Sequence, residues 1–289
     1  MGDVRDDGHL PQQQGECGMI DSIDKLEWFL NNRGKELSMK QIAVVGGLGT
    51  GKKTLVNTLM GGNIDLPTSI MPFHYDVKLQ QKKDEYGVKA RLTDGTDVEI
   101  SDMRSEEIHI LEERERTGIR KLIMSCDMPY PNLTIDIVEL YREDSRELFD
   151  TINYSDAIIV VINATRALFS LEQEFILRYF CGRKLKNVFF VFTRKNGLPE
   201  EEMESFRQYI TEKLRDVFTD ENDRFDQLLY DSRVFLVDAY TSLCARTGRP
   251  IKVRKGGKWV DFPVFKEDDQ YTGVPELERE LYRFLGYIN

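Results

Sequence analysis

The stretch QIAVVGGLGTGKKT, Gln41 to Thr54, decides the fold. Gln41 to Val45 is an apolar run of strand size, and Gly46, Gly47, Gly49 and Gly51 follow it directly. LVNTLMG then reads as helical. The pattern G-x-x-x-x-G-K between an apolar strand and a helix marks a phosphate-binding loop. Its glycines permit a turn whose N–H groups point at one anion, and the helix N-terminus adds partial positive charge. Gly46, Gly47, Leu48, Gly49, Thr50, Gly51, Lys52, Lys53 and Thr54 are therefore the candidate ligand-binding residues, with Lys52 reaching the β- and γ-phosphates. Lys52 and the backbone donor of Gly49 are the loop's candidates for stabilising charge on a transferred phosphoryl group.

The pattern breaks at one place. The residue after Lys52 should carry a hydroxyl that binds Mg²⁺, yet it is Lys53. Thr54 lies one residue later, about 100° around the helix, so it replaces that hydroxyl only with a shift in register. Either the Lys53 ammonium sits where the metal would, or it points to solvent and metal binding is weakened.

Away from the loop, residues 1 to 18 read as a loose polar tail, and an amphipathic helix is predicted from Ile20 to about Leu37. YDVKLQQ, VKARLTDG and TDVEIS, within residues 75 to 100, alternate apolar and polar positions as an antiparallel meander would. A charged helix is expected over about Ser105 to Arg116. The strands LTIDIV, AIIVVINA, VFFVFT and VFLVDA then alternate with helical stretches near 145–153, 170–181, 199–218 and 223–230, and VPELERELYRFLGY forms a last helix. Near-continuous apolar strands between amphipathic helices predict an α/β domain whose mainly parallel sheet is covered on both faces, with an antiparallel extension at one edge.

Composition narrows the function classes. The chain has 289 residues, is 40% apolar, and carries 40 Lys and Arg against 50 Asp and Glu, a formal net charge of −10. That balance argues against a general nucleic-acid binder, which needs a basic face for counterion release. No apolar run approaches the roughly 18 residues of a membrane helix, and the acidic start MGDVRDDGH is no export signal. Cys17, Cys126, Cys181 and Cys244 are scattered, as are the three histidines, so neither a disulfide frame nor a zinc site is expected. These features predict a cytoplasmic protein of a reducing compartment.

With the loop in place, the order of segments from about Ile20 to Tyr287 resembles the GTPase domain of dynamin-like proteins, especially bacterial ones. GNIDLPTSIMPFHYDVKL resembles that family's first switch, LTIDIVEL its D-x-x-G strand end, and SDAIIVVINATRALFSLEQEFI its next strand and helix. VFFVFTRKNGL stands where the base-reading N/T-K-x-D belongs. The resemblance implies a P-loop NTPase fold over residues 19–289 without the family's helical stalk, GTP or GDP as ligand, and Mg²⁺. It gives Asp136 to the metal-holding aspartate of the second switch, with Thr54 as the remaining hydroxyl for the metal. It puts His74 where the family has a threonine that binds metal and orients water. Thr193, Arg194 and Asn196 take the base-reading positions.

The implied chemistry is incomplete. Glu139 stands in place of the D-x-x-G glycine, and a carboxylate there faces the γ-phosphate with like charge. Arg194 replaces lysine, and Asn196 replaces the aspartate that accepts two hydrogen bonds from guanine, so guanine selectivity should fall. Three readings stay open: a G domain with slow GTP hydrolysis; a binding or assembly module that pairs with itself or with a dynamin-like partner across the nucleotide face; and an ATP-using P-loop enzyme. The basic run Arg246 to Lys258, ahead of Trp259, reads as a hairpin turning at Gly256–Gly257. It is either a solvated hairpin or a docking surface for an anionic membrane or an acidic partner, which would add peripheral membrane contact.

Overall fold

A computed structural model describes residues 38–64, 66, 76–81, 87–100, 119–140, 145–166, 180, 187–217, 233–248, 250, 252–255, 258–261 and 268–288. The tail, the helices expected at 20–37, 105–116 and 223–230, nearly all of that at 170–181, and His74 lie outside these residues.

Strand β1 (Lys40–Gly46) is the axis of the sheet. It runs parallel to β6 (Leu133–Glu139) on one side and β7 (Ala157–Asn163) on the other. Parallel strands β8 (Val188–Thr193) and β9 (Val234–Val237) continue beyond β7. Every residue of β7 and β8 is buried, as expected of strands covered on both faces. Beyond β6 lie β2 (Asp76–Gln81), β5 (Ile119–Cys126), β3 (Gly87–Leu92) and β4 (Asp97–Ile100), completing a nine-stranded sheet in the order β4-β3-β5-β2-β6-β1-β7-β8-β9.

This edge refines the expected meander. β3 and β4 pair antiparallel, and so do β3 and β5, but β2 and β3 are not neighbours. β5 lies between them and runs parallel to β2, while β2 runs antiparallel to β6. The sequence reading passed over β5, IRKLIMSC, because its opening Arg120 and Lys121 look like the end of the preceding charged segment. From Leu122 its alternation is nonetheless that of a half-buried strand, with Leu122, Met124 and Cys126 inward, and Ile119 is buried beyond an irregularity in the pairing with β3.

Two apolar layers enclose the sheet. On one side, Leu55, Val56 and Leu59 of α1 (Lys52–Leu59) pack with Leu277 and Leu281 of α5 (Val274–Phe284). On the other, Leu148 and Ile152 of α2 (Ser145–Tyr154) and Ile210 and Leu214 of α3 (Met203–Val217) cover Ala43, Val45, Val138 and Val160. Helix α4 (Ala239–Thr247) follows β9 and packs beside α1. A separate hairpin, β10 (Lys252–Lys255) and β11 (Lys258–Asp261), pairs Lys255 with Lys258, so the predicted turn is in place.

Candidate functional site

The phosphate loop leaves the carboxyl end of β1 and enters α1 at Lys52, the strand–loop–helix context its sequence requires. Gly51 adopts φ 91°, where a side chain would be strained, and a Cβ on Gly46 would lie 2.4 Å from the Val161 carbonyl oxygen. The first glycine thus lets β7 approach, and the last turns the chain into the helix. Thr50 is buried and its hydroxyl donates to the Gly47 carbonyl at 2.9 Å, bracing the loop from within. Leu48 and Gly49 are exposed at its tip.

Lys52 is only 3% exposed. Its ammonium donates to the carbonyls of Gly46 (2.9 Å) and Gly47 (2.7 Å) and pairs with Glu139 Oε2 at 2.9 Å. Burial pushes its pKa below the usual lysine value, opposed by the attraction of Glu139 and of Asp76, which is buried at the start of β2. The loop therefore holds a desolvated cation against its own carbonyls and the Glu139 carboxylate, in a setting where charge interactions are strong.

The strand-end carboxylate is Glu139, three residues beyond the one expected. The β1–β6 register sets Glu139 opposite Gly46 and Asp136 opposite Ala43. At about 3.3 Å per residue, Asp136 lies about 10 Å back along the strand. There it pairs with Lys121 at 3.0 Å, accepts from Gln41 Nε2 at 2.9 Å and lies 4.0 Å from Lys78. Asp136, to which the resemblance gives a metal, is thus held among cations in the sheet, while Thr54 follows Lys53 inside α1. Among the described residues no group of three or more His, Cys, Asp or Glu could hold a metal.

The segment expected to read a base lies against the loop. Thr193 closes β8, and its hydroxyl donates to the Thr50 carbonyl at 2.5 Å. Arg194, at φ 64°, donates from Nη2 to the Gly49 carbonyl at 3.2 Å. Asn196 is exposed in the short 3₁₀ turn Lys195–Gly197, and Lys195 Nζ donates to the Tyr271 carbonyl. Thr193 and Arg194 thus brace the loop backbone, leaving Asn196 exposed beside them.

Arg246 was expected on the basic surface but is buried. It pairs with Glu278 through both terminal nitrogens (2.6 and 2.9 Å), with Asp269 at 2.8 Å, and donates to the Thr58 carbonyl at 3.0 Å. This network ties the last turn of α1 to α4 and α5. Sequence reading missed it because both acids come from the segment after the hairpin.

No family model matches the chain. A protein of Caldicellulosiruptor sp. (strain Rt8B.4), described as an uncharacterized protein in the xynA 3' region, is 23% identical over 208 residues, covering 68% of this chain and 50% of that protein. The chain thus spans about half the length of this curated relative. Two solved structures of an oligomerised bacterial dynamin pair, described as a mechanism for long-range sensing and tethering of membranes, match with TM-scores of 0.67 and 0.66. Identity is 16% and 15%, over 90% and 91% of this chain and 40% of each dynamin chain. The likeness is one of fold. The chain has an α/β P-loop NTPase fold shared with bacterial dynamin, as the sequence resemblance implied.

Proposed function

We propose that this chain is a dynamin-like G domain that binds the phosphates of a guanine nucleotide at Gly46 to Thr54 and hydrolyses GTP slowly or not at all. The observation that carries binding is the buried Lys52 ammonium held among loop carbonyls at the N-terminus of α1. A polyphosphate would take over that ammonium and meet the loop N–H groups and the helix dipole. Arg194 supports the cradle by holding the Gly49 carbonyl. Slow turnover is supported by Glu139 at the loop, whose carboxylate already pairs with Lys52 and faces a γ-phosphate with like charge.

In this reading binding rests on Lys52 and backbone donors more than on Mg²⁺, since Lys53 stands where the metal's hydroxyl belongs. Titration calorimetry with GTP, GDP and ATP, with and without Mg²⁺, tests this directly. Binding should survive metal removal and vanish in Lys52→Ala. Ligand at a hundred times its Kd adds about 2.7 kcal/mol, a melting shift of roughly 2–4 °C per kcal/mol at this size. A turnover on the order of 1 s⁻¹, within the ordinary enzyme range, would overturn the slow-hydrolysis reading.

The fold match to an oligomerising bacterial dynamin favours a second role, self-association or pairing with a dynamin-like partner across the nucleotide face. The exposed Leu48 and Gly49 lie on that face. Light scattering with and without nucleotide tests it. No helix among the described residues is long and apolar enough to cross a membrane. Membrane contact would therefore be peripheral, through a partner or the β10–β11 hairpin, and the chain cytoplasmic.

A further inference from the structure

A second anion site lies on the sheet itself. A cavity of about 450 Å³ opens on the β2-β5-β3 face, lined by Lys78, Gln80, Arg91, Arg120, Lys121 and Ile123. Strand pairing builds it. Lys121 stands opposite Arg91 on β3, and Lys78 opposite Ile123 on β5, so side chains two residues apart on three adjacent strands share one face. Four of the six lining residues are cations, against two carboxylates, Asp136 and Asp97, that pair with three of them from outside the lining, on a chain whose formal net charge is −10.

Two of these cations are positioned from below. Asp136, 2% exposed, holds Lys121 at 3.0 Å and lies 4.0 Å from Lys78, whose side chains are 17% and 32% exposed. One buried carboxylate therefore sets two half-buried ammonium groups at the floor of the groove. Side-chain order is already fixed before a ligand arrives, which lowers the cost of binding. At the exposed rim, Arg91 pairs with Asp97 through Nε at 2.9 Å and Nη2 at 3.1 Å. Gln80 adds a neutral donor and acceptor, and Ile123 an apolar wall.

We propose that this groove binds a compact ligand carrying linked phosphates, a site separate from the phosphate loop. Its volume suits a small molecule. Its cations span two strand spacings, about 10 Å, so a single monoanion engages only part of the array while a diphosphate reaches across it. The planar guanidinium groups of Arg91 and Arg120 suit phosphate oxygens in pairs. A soluble phosphorylated metabolite and a phosphorylated lipid headgroup present the same chemistry.

Inorganic pyrophosphate is the probe, titrated by calorimetry into the full chain carrying Lys52→Ala, which removes the loop's cation. One pyrophosphate should still bind, and adding Lys78→Gln with Arg120→Gln should weaken it at least tenfold, while the charge-conserving pair Lys78→Arg and Arg120→Lys restores it. In the unsubstituted groove, pyrophosphate should protect Lys78 and Lys121 from acetylation, read by mass spectrometry, where equal ionic strength of sodium chloride does not. That second readout holds even if a substituted chain fails to fold. Vesicles of diacylglycerol pyrophosphate in phosphatidylcholine separate the two sources, since flotation with them assigns a headgroup and its absence a soluble ligand. No pyrophosphate binding to the Lys52→Ala chain, weakening of less than tenfold in a folded groove variant, or no protection of the two lysines overturns the proposal. GTP, whose linked phosphates also suit the groove, is titrated into the chain carrying Lys78→Gln with Arg120→Gln alone, and binding there decides only the loop.

Discussion

The ammonium of Lys52 lies 2.9 Å from Glu139 Oε2 and is turned back onto the carbonyls of its own loop. The cation that should meet a phosphate is thereby already neutralised. An arriving γ-phosphate must take Lys52 from Glu139 and then face that carboxylate. Replacing Glu139 by Gln keeps a hydrogen-bond acceptor for Lys52 and deletes the charge. The affinity for GTP should rise about tenfold, or about 1.4 kcal/mol, measured by calorimetry at fixed salt. Unchanged or weaker binding would show that Glu139 does not compete with the nucleotide.

Asn196 is exposed beside Arg194 and Thr193, which brace the loop. An amide offers one acceptor and one donor where guanine's N1–H and amino group need two acceptors. Asn196→Asp should therefore raise the preference for GTP over ATP at least tenfold, with loop affinity for phosphate unchanged. Competition binding with a fluorescent guanine nucleotide reads the ratio. A variant that leaves the ratio where it was places the base elsewhere.

Much of this architecture was legible in the sequence, because apolar runs such as AIIVVIN and VFFVFT are long enough to be read as buried strands. The phosphate loop was legible because its glycines, lysine and flanking elements agree with one another. Register was not. An Asp inside an apolar run reads as a strand end unless cations on neighbouring strands neutralise it, and here Lys78 and Lys121 do so from β2 and β5. β2 is distant from β6 in sequence, and β5, though next to it in sequence, reaches Asp136 from beyond β2, so Asp136 was read as the strand-end carboxylate where the register puts Glu139. Arg246 misled for the same reason, since its partners Asp269 and Glu278 lie beyond the hairpin.

Arg246 also predicts a stability effect. Its removal leaves Glu278, 4% exposed, and Asp269 without their shared cation and takes one of the two donors from the Thr58 carbonyl, which keeps the Gly61 N–H. Breaking a buried ion pair from one side costs about 3–5 kcal/mol. Arg246→Met should lower urea stability by that amount, whereas a solvated member of a basic patch would change it by under about 0.5 kcal/mol. A loss in the smaller range would return Arg246 to the surface.

Cys126 closes β5 with its side chain fully buried, its thiol 3.8 Å from the Met128 sulfur. Burial, aided by the negative charge of Asp127, pushes the thiol up to about 11 from an ordinary value of 9.0. Between those two values the unfolded chain gives up the proton and the folded chain keeps it. The folded state then binds more protons, so stability falls as pH rises through that window. Tyr282 and Tyr287, also raised by burial, add a loss of the same sign at higher pH, while the lowered Lys52 acts in the opposite direction. Those contributions are common to wild type and Cys126→Ala, so the difference between the two chains isolates the thiol. Urea unfolding should show wild type more stable by a constant amount up to about pH 8.5, because the alanine leaves a cavity of fixed cost. That gap should narrow as the pH approaches 11. A gap that stays constant to pH 11 would mean that the thiol ionises equally in both states and that β5 admits solvent at its end.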